Sequence, residues 1–409
     1  MRILVVTQYF APEVFRVNDV VEHLAANGHE VTVLTGQPNY PHGRFYAGYG
    51  WRGPRSEDYR GARVIRVPLI ARGDGSGLPL ALNFLSFAFF ASVAALLRLR
   101  GPYDVIFVHE VSPITVGIPA IVARWRFGAP ILFWVLDLWP ESLTAAGGIT
   151  TRWILGPVAA MVRWIYANCA RVLAASRAFV PEIAAHGVPP EKILYFPQWG
   201  EALFEGLETP DWSRVPLMPQ GFRVMFAGGM GEAQDWPAVL DAAERLKSRT
   251  DIHWILVGDG RQEPWIREQT RRRGLTQVHL MGRHPLELMP HFFAAADVLL
   301  LPLKRDKIFS LTIPAKLQSY LASARPIVAM MDGEGARIVR EANAGLACDA
   351  GDSAALAGEV QKIAAMTLEE RRLLGARGRD YHQQHFERQS LFRQLETWMN
   401  DAAAIRGRA

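Results

Sequence analysis

Cysteine is nearly absent from the chain. Cys169 and Cys348 are the only two in 409 residues, far apart and without metal-type spacing. A disulfide framework and a structural zinc site are therefore not expected, and a reducing cytosol is the expected home. The opening run, MRILVVTQYF, has one basic residue and too short an apolar stretch for a signal peptide, so it reads as a first strand. No solenoid-period repeat and no low-complexity tract is present. Neither Gly228–Gly231 nor Met1–Pro12 gives G-x-G-x-x-G with a later acidic partner, which argues against a dinucleotide oxidoreductase.

What is present suits a soluble globular protein of two domains. The length exceeds one hydrophobic core, and the chain is 50% apolar and 21% charged. The formal charge of +5 favours anionic partners such as nucleotides, lipid diphosphates or acidic membrane; nothing points to nucleic acid. Positive charge is concentrated. Nine arginines (44, 52, 55, 60, 63, 66, 72, 98, 100) face only Glu57, Asp58 and Asp74 between Arg44 and Arg100. They flank Leu78–Leu97, twenty residues without a charge. By length this segment could span a bilayer, but Tyr103–Val108 follows at once and reads as a buried strand. A span would put strands of one sheet on opposite sides of the membrane. The segment is expected to be a helix, either buried or dipping into a membrane interface.

Short apolar runs alternate with helical stretches. Arg2–Thr7, Glu30–Leu34, Arg63–Val67, Val105–Val108, Ile131–Leu136 and Val172–Ala174 read as parallel strands, with helices such as Val17–Asn27 and Ile114–Phe127 between them. A second set follows: Phe222–Ala227, His253–Val257, Val278–Met281, Val298–Leu301, Pro326–Ala329 and Gly345–Cys348. Helices Pro237–Ser248, Gln262–Arg273, Ala315–Ala324 and Ala354–Ala364 lie between these strands, and a long helical tail covers Glu369–Ile405. The reading is α/β, two Rossmann-like domains facing a central cleft. The boundaries are 1–205 for the first domain, 206–220 for a proline-rich linker, 221–385 for the second domain, and 386–409 for a C-terminal helix packing back on the first. In such folds ligands bind beyond the carboxyl ends of the strands, on glycine-bearing loops.

Three pieces of the second domain could bind an anion. Phe226–Gly231 (FAGGMG) ends a strand and precedes a helix, so Gly229 and Gly231 could bring backbone N–H groups to a phosphate. Alone, such a turn is often only a tight turn. A second glycine turn, Val257–Arg261, adds Gly260 and the basic Arg261. The third piece is FSLTIPAK (309–316), where Thr312 is expected as N-cap, Pro314 in the first turn, and Lys316 beside the free helix-end amides. In the first domain, Glu13, Arg16 and Asn18 follow the first strand on its cleft-facing loop. Asp137 ends the apolar run ILFWVL, where a carboxylate must be used or bonded; it either caps local backbone, or orients or accepts the proton of an incoming hydroxyl. His109 and Glu110 end the preceding strand. Pro197–Trp199 is expected to pack at the hinge. Phe84, Phe87, Phe89 and Phe90, with Met225, Met281 and Met289, are expected in the core.

The second domain resembles the C-terminal domain of retaining GT-B glycosyltransferases of the glycogen-synthase-like group. More narrowly, it is similar to capsule, O-antigen and colanic-acid enzymes of the WbuB type. The matching stretches are FAGGMGEAQDW (226–236), VGDGR (257–261), MGRHP (281–285), AADVLLLPLK (295–304) and LTIPAKLQSYLASARPIV (311–328). In the first domain they are QYFAPEVFRVNDVVEHLAANGHEVTVLTGQPNYPHG (8–43), VSPITVGIPA (111–120) and DLWPES (137–142).

The resemblance implies a nucleotide-sugar donor, UDP-linked in the relatives most alike in motif and commonly an N-acetylated or deoxy hexosamine. Its diphosphate would lie at the helix start near Thr312, with its base at Gly282 and Arg283. It also implies retention of configuration and a polyprenyl-diphosphate-linked acceptor on the first domain. The place would be the cytoplasmic face of the membrane, reached through helix 78–97 and its arginines. The broader family carries an arginine and a lysine where this chain has Gly229 and Gln234, and two glutamates where it has Leu311 and Ser319. Arg261, Lys316 and Arg16 are the candidates to replace that charge. No D-x-D triplet occurs, so no metal or other cofactor is expected. Two other readings share features of the sequence: a UDP-N-acetylglucosamine 2-epimerase-like GT-B enzyme, and a two-lobed sugar-binding protein without catalysis.

Overall fold

The apolar runs become strands of two separate sheets. The computed structural model describes residues 1–148, 151–204 and 209–406. The chain divides into two units, Met1–Pro197 with Leu391–Ala409, and Gln198–Ser390. Residues 205–208, at the expected start of the linker, and 407–409, at the end of the expected C-terminal helix, lie outside the described residues.

The sheet of the first unit contains β1 (Arg2–Val6), β2 (Glu30–Gly36), β3 (Ser56–Tyr59), β4 (Ala62–Val67), β5 (Val105–Glu110), β6 (Ile131–Val135), β7 (Arg171–Ala174) and β8 (Ile193–Tyr195). Their order is β3-β4-β2-β1-β5-β6-β7-β8. Every pairing is parallel except β3 with β4. Central strands such as β5 (VIFVHE) are buried along their whole length, as a parallel sheet covered on both faces requires. β3 is a strand that apolar patterning does not reveal: SEDY is polar because it sits on the edge. Arg60 (φ 50°) and Gly61 (φ 86°) make the left-handed two-residue turn that hairpins it onto β4.

Between Met1 and Pro197 the helices of this unit are α1 (Arg16–Ala26), α2 (Gly77–Leu97), α3 (Gly117–Phe127), α4 (Glu141–Gly147), α5 (Arg152–Ala167) and α6 (Phe179–Ala185). α2 is the uncharged segment, and it is long and apolar enough to cross a membrane. It does not interrupt the sheet: β4 before it and β5 after it lie in the same layer. Asn83, Phe87, Ala88, Ala91, Ala94 and Ala95 form its buried side. The opposite side is open, with Leu78, Leu82, Leu85, Phe89, Leu96 and Leu97 exposed. Of the four phenylalanines expected in the core, Phe87 is fully buried whereas Phe89 is 63% exposed, because the two stand on different faces of the helix.

The second unit has β9 (Phe222–Ala227), β10 (Ile252–Val257), β11 (Val278–Gly282), β12 (Val298–Pro302), β13 (Ile327–Met330) and β14 (Gly345–Cys348). Their order, β11-β10-β9-β12-β13-β14, is the doubly wound arrangement with its switch point between β9 and β12. The helices are α7 (Trp236–Arg245), α8 (Glu263–Arg272), α9 (Met289–Ala295), α10 (Lys307–Leu311), α11 (Ala315–Ala322), α12 (Glu334–Glu341), α13 (Ser353–Ala365) and α14 (Leu368–His385). Asp235 caps α7 and Asp352 caps α13 through their side chains. Phe226, Trp236, Trp254, Leu256, Leu300 and Met330 are among the residues of its core.

The tail is two helices rather than one. A capping box of Thr367 and Glu370 opens α14, which stops at Phe386, and α15 (Arg388–Arg406) follows. From Leu391 onward α15 belongs to the first unit. There Phe392 lies 4.6 Å from His23 and Trp398 lies 5.9 Å from Phe196, ring to ring. Glu396 accepts a hydrogen bond from Asn27 at 2.9 Å.

Candidate active site

In the second unit, three strands end in glycine turns that pack on one another. Gly228 N donates to Val257 O at 2.9 Å, Gly258 N to Gly282 O at 2.7 Å, and Met230 N to Asp259 O at 2.7 Å. Gly258 has φ +132°, and a Cβ there would overlap the carbonyl of Gly228, so only glycine fits without displacing backbone. Beyond these turns lies a pocket of about 370 Å³, lined by Gly228, Gly229, Val257, Gly258, Asp259, Arg283, His284, Leu286 and Met289. It stands at the carboxyl ends of β9, β10 and β11, where a doubly wound sheet binds ligands.

Lys316 closes this arrangement from α11. Its side chain lies across Gly228, where a Cβ would overlap Lys316 Cε, and its Nζ stands 5.2 Å from the centre of the Phe226 ring. Among the described residues no carboxylate pairs with it. Burial pushes its ammonium below the ordinary lysine range. A half-buried cation with no carboxylate partner among the described residues, beside the open turn Gly228–Gly229, suits an anion by charge and shape.

The remaining expected donor residues fall into three groups. Gly229 is exposed, with nothing near its Cα to hinder a ligand. Arg283 is exposed at the pocket and stands 3.7 Å from Asp259; Gly282 and Gly260 carry the turns that place these residues. Arg261, by contrast, is exposed outside the lining of the pocket. Gln234 and Gly231 hold each other: Gly231 N donates to Gln234 Oε1 at 2.9 Å. This is a loop contact that occupies both groups.

Thr312 is not the N-cap of the helix bearing Lys316. Its hydroxyl donates to Ile308 O at 2.8 Å, closing α10. Pro314, with φ −63° and ψ 133°, is the cap residue rather than part of the first turn; proline pre-sets that φ. Ser319 is buried within α11. Asp259, His284, Leu286 and Met289 of the pocket escaped the sequence reading, which placed Met289 in the core. VGDG and MGRHP contained the signal for Asp259 and His284, since both follow strand ends.

The first unit arranges its candidates differently. Glu13 is 2% exposed and accepts from the backbone N–H groups of Asn39 (2.7 Å), Tyr40 (2.6 Å) and Phe10 (3.2 Å). Burial raises its carboxyl to about 7 despite these bonds. Glu13 thus ties together the loops after β1 and β2 and is not open to an acceptor. Asn18 Nδ2 donates to Glu13 O at 2.7 Å, and Arg16, half-buried, stands 3.9 Å from Asp19. His109 is buried; its Nδ1 lies 3.2 Å from Thr7 Oγ1, and burial pushes its imidazole down to about 3. Glu110 is fully buried and its carboxyl is pushed well up by burial and by Asp137; Asp137 N donates to it at 3.4 Å. Asp137 is partly exposed, accepts a hydrogen bond from Ser142, and is raised by burial. Of the two carboxyls, only Asp137 can meet a solute.

Both halves of the chain match family profiles: residues 14–199 match the glycosyl transferase 4-like domain, and residues 221–366 match the glycosyl transferases group 1. The chain belongs to the glycogen-synthase-like group of GT-B glycosyltransferases. Among its relatives is the colanic acid biosynthesis glycosyl transferase WcaI of Escherichia coli strain K12. It is 27% identical over 79% of this chain and 81% of that protein. A GDP-mannose-dependent alpha-mannosyltransferase of Corynebacterium glutamicum is 26% identical over 66% of this chain and 60% of its own length. Among solved structures, sucrose-phosphate synthase of Thermosynechococcus elongatus superposes with a TM-score of 0.74 at 17% identity, covering 99% of both chains. That likeness shows a shared fold. In this GT-B enzyme the glycine cradle with Lys316 lies on the group 1 half, and Asp137 lies on the 4-like half.

Proposed function

We propose that the enzyme transfers a hexosyl residue, an N-acetylated or deoxy hexosamine, from a UDP-sugar to a polyprenyl-diphosphate-linked acceptor. Transfer proceeds with retention, without a metal ion, in surface polysaccharide biosynthesis at the inner face of the cell membrane. One observation carries this reading: Lys316 is unpaired among the described residues and lies across Gly228 in a cradle of strand-end glycines. Departure of a nucleoside diphosphate leaves negative charge on the β-phosphate. A pre-placed ammonium and backbone N–H groups stabilise that charge without reorganising. Arg283 and Asp259 offer a donor and an acceptor at the pocket rim, which suits the base and ribose better than the diphosphate.

Retention fits attack from the face of the departing phosphate, with the phosphate oxygen taking the acceptor proton. Little general-base work is then left to a side chain, and Asp137 orients the acceptor hydroxyl. The relationship to WcaI supports a polysaccharide product. The exposed side of α2 supports a lipid-borne acceptor: Leu85 and Phe89 are 58% and 63% exposed, and residues this apolar favour an interface. The tryptophans on neighbouring helices add to it, with Trp125 of α3 and Trp153 of α5 at 66% and 90% exposure.

Incubation with a panel of UDP- and GDP-sugars and a lipid-diphosphate sugar, followed by mass spectrometry, tests the reading. A UDP-sugar should add one sugar to the lipid. The mannosyltransferase relative makes GDP-mannose the donor that would replace UDP if it alone reacts. Epimerised nucleotide sugar without acceptor would transfer the enzyme to the epimerase class.

A further inference from the structure

The arginines around α2 look alike in sequence, but the structure separates them by what they hold. Arg60 pairs with Glu22 at 2.6 Å. Arg66 is buried and spans Glu57, Ala11 O and Gly36 O. Arg55 donates to Trp51 O, and Arg98 donates to Arg66 O at 2.9 Å and Arg55 O at 2.5 Å. These side chains are consumed by the fold. Arg72 is not: it is half-buried, and among the described residues no carboxylate reaches it.

Arg72 is held in place by aromatic rings instead. Its guanidinium carbon lies 4.9 Å from the Tyr40 ring centre and 5.9 Å from that of Tyr9, and Nη1 donates to the Tyr9 hydroxyl at 3.3 Å. The backbone is pinned as well, since Arg72 N donates to Asn39 Oδ1 at 3.1 Å. The other guanidinium edge faces Gly75, where a Cβ would stand 3.2 Å from Nη2 and 3.5 Å from Nε. With glycine there, no side chain covers that edge. Rings that stack a guanidinium fix its plane without neutralising it, leaving its fork of donors for an oxyanion.

After Arg72 and Gly75 in the chain, the exposed stripe of α2 begins with Leu78 and continues through Leu82, Leu85 and Phe89. In the chain, a cation held against Gly75, just before this helix, is followed by an apolar track. An isoprenoid diphosphate has the same order, charge and then hydrocarbon. We propose that Arg72 binds the diphosphate of an isoprenoid-linked acceptor, whose chain runs along α2. The proposal rests on the acceptor reading above and adds the residue that recognises the diphosphate.

The test measures binding to the full chain, by calorimetry with farnesyl diphosphate, farnesol and UDP as separate probes and by sedimentation with phosphatidylglycerol vesicles. Arg72→Gln should weaken farnesyl diphosphate by about tenfold or more, the loss of a charge-assisted hydrogen bond. Arg72→Lys should restore part of it, and farnesol and UDP should bind as before. Unchanged farnesyl diphosphate affinity in Arg72→Gln would overturn the assignment. So would an equal loss for farnesol, which would make Arg72 a loop support. So would a loss confined to phosphatidylglycerol vesicles, which would make it a headgroup contact. If UDP binds the wild type and farnesyl diphosphate does not, this inference fails alone; if UDP does not bind, the donor reading fails.

Discussion

The two units build sites at the same place in the same kind of sheet, yet from different materials. In the second unit the strand ends converge as bare backbone, with Gly228, Gly258 and Gly282 packed together and one cation, Lys316, laid over them. In the first unit the strand ends after β1 and β5 are crowded with polar side chains, Thr7, Gln8, Glu13, His109 and Glu110, all buried. Gly229 and Lys316 are open to a ligand. Glu13 and the neutral imidazole of His109 are already committed, the one to loop N–H groups and the other to Thr7. A titratable group at a strand end is therefore weak grounds for catalysis until its exposure and partners are known.

The sharpest way to break this contrast is Lys316→Ala. Turnover should fall by about two orders of magnitude while circular dichroism stays native; near-normal activity would remove the distinction between the units.

The next effect concerns pH and belongs to the first unit. Glu13 is raised to about 7 when folded, so the native state holds a proton that the unfolded chain releases. Its contribution to stability falls as pH rises from about 4.5 to about 7. His109 is depressed to about 3, so its contribution is present above about 6.5 and is lost as pH falls toward 3. The two slopes oppose each other in mild acid. Glu13→Gln should expose the histidine slope, roughly 1.4 kcal/mol per pH unit at most, and His109→Gln should reveal the reverse. Hydrogen exchange of β1 and β5 amides across pH reads both.

Gly258→Ala sharpens the other half. An alanine must adopt φ +132° and displace Gly228, costing about 1–3 kcal/mol in urea unfolding, together with UDP affinity. The smallest effect on stability is expected on α2. Leu85→Ser with Phe89→Ser should change it by under about 1 kcal/mol, since both side chains are exposed. The same pair should lower sedimentation with anionic vesicles by about tenfold.

Apolar runs make the central strands legible, and the glycine turns after β9 and β10 mark residues that line the pocket. β3 was invisible because an edge strand need not be apolar. The cap before α11 was misread because Thr312 had two helix ends within reach and its hydroxyl closes the earlier one. Glu13 was read as accessible because sequence shows that a carboxylate follows a strand, not that three backbone N–H groups from two loops surround it. Arg72 could not be told from its eight neighbours, since pairing is a property of the folded chain.

The central claim is that Lys316 and the glycine turns hold a nucleoside diphosphate. Titrating UDP and uridine into the wild type and Lys316→Met tests it most directly. UDP affinity should fall at least about tenfold, the value of a charge-assisted contact, with uridine unchanged. Equal UDP affinity in the two proteins would contradict it.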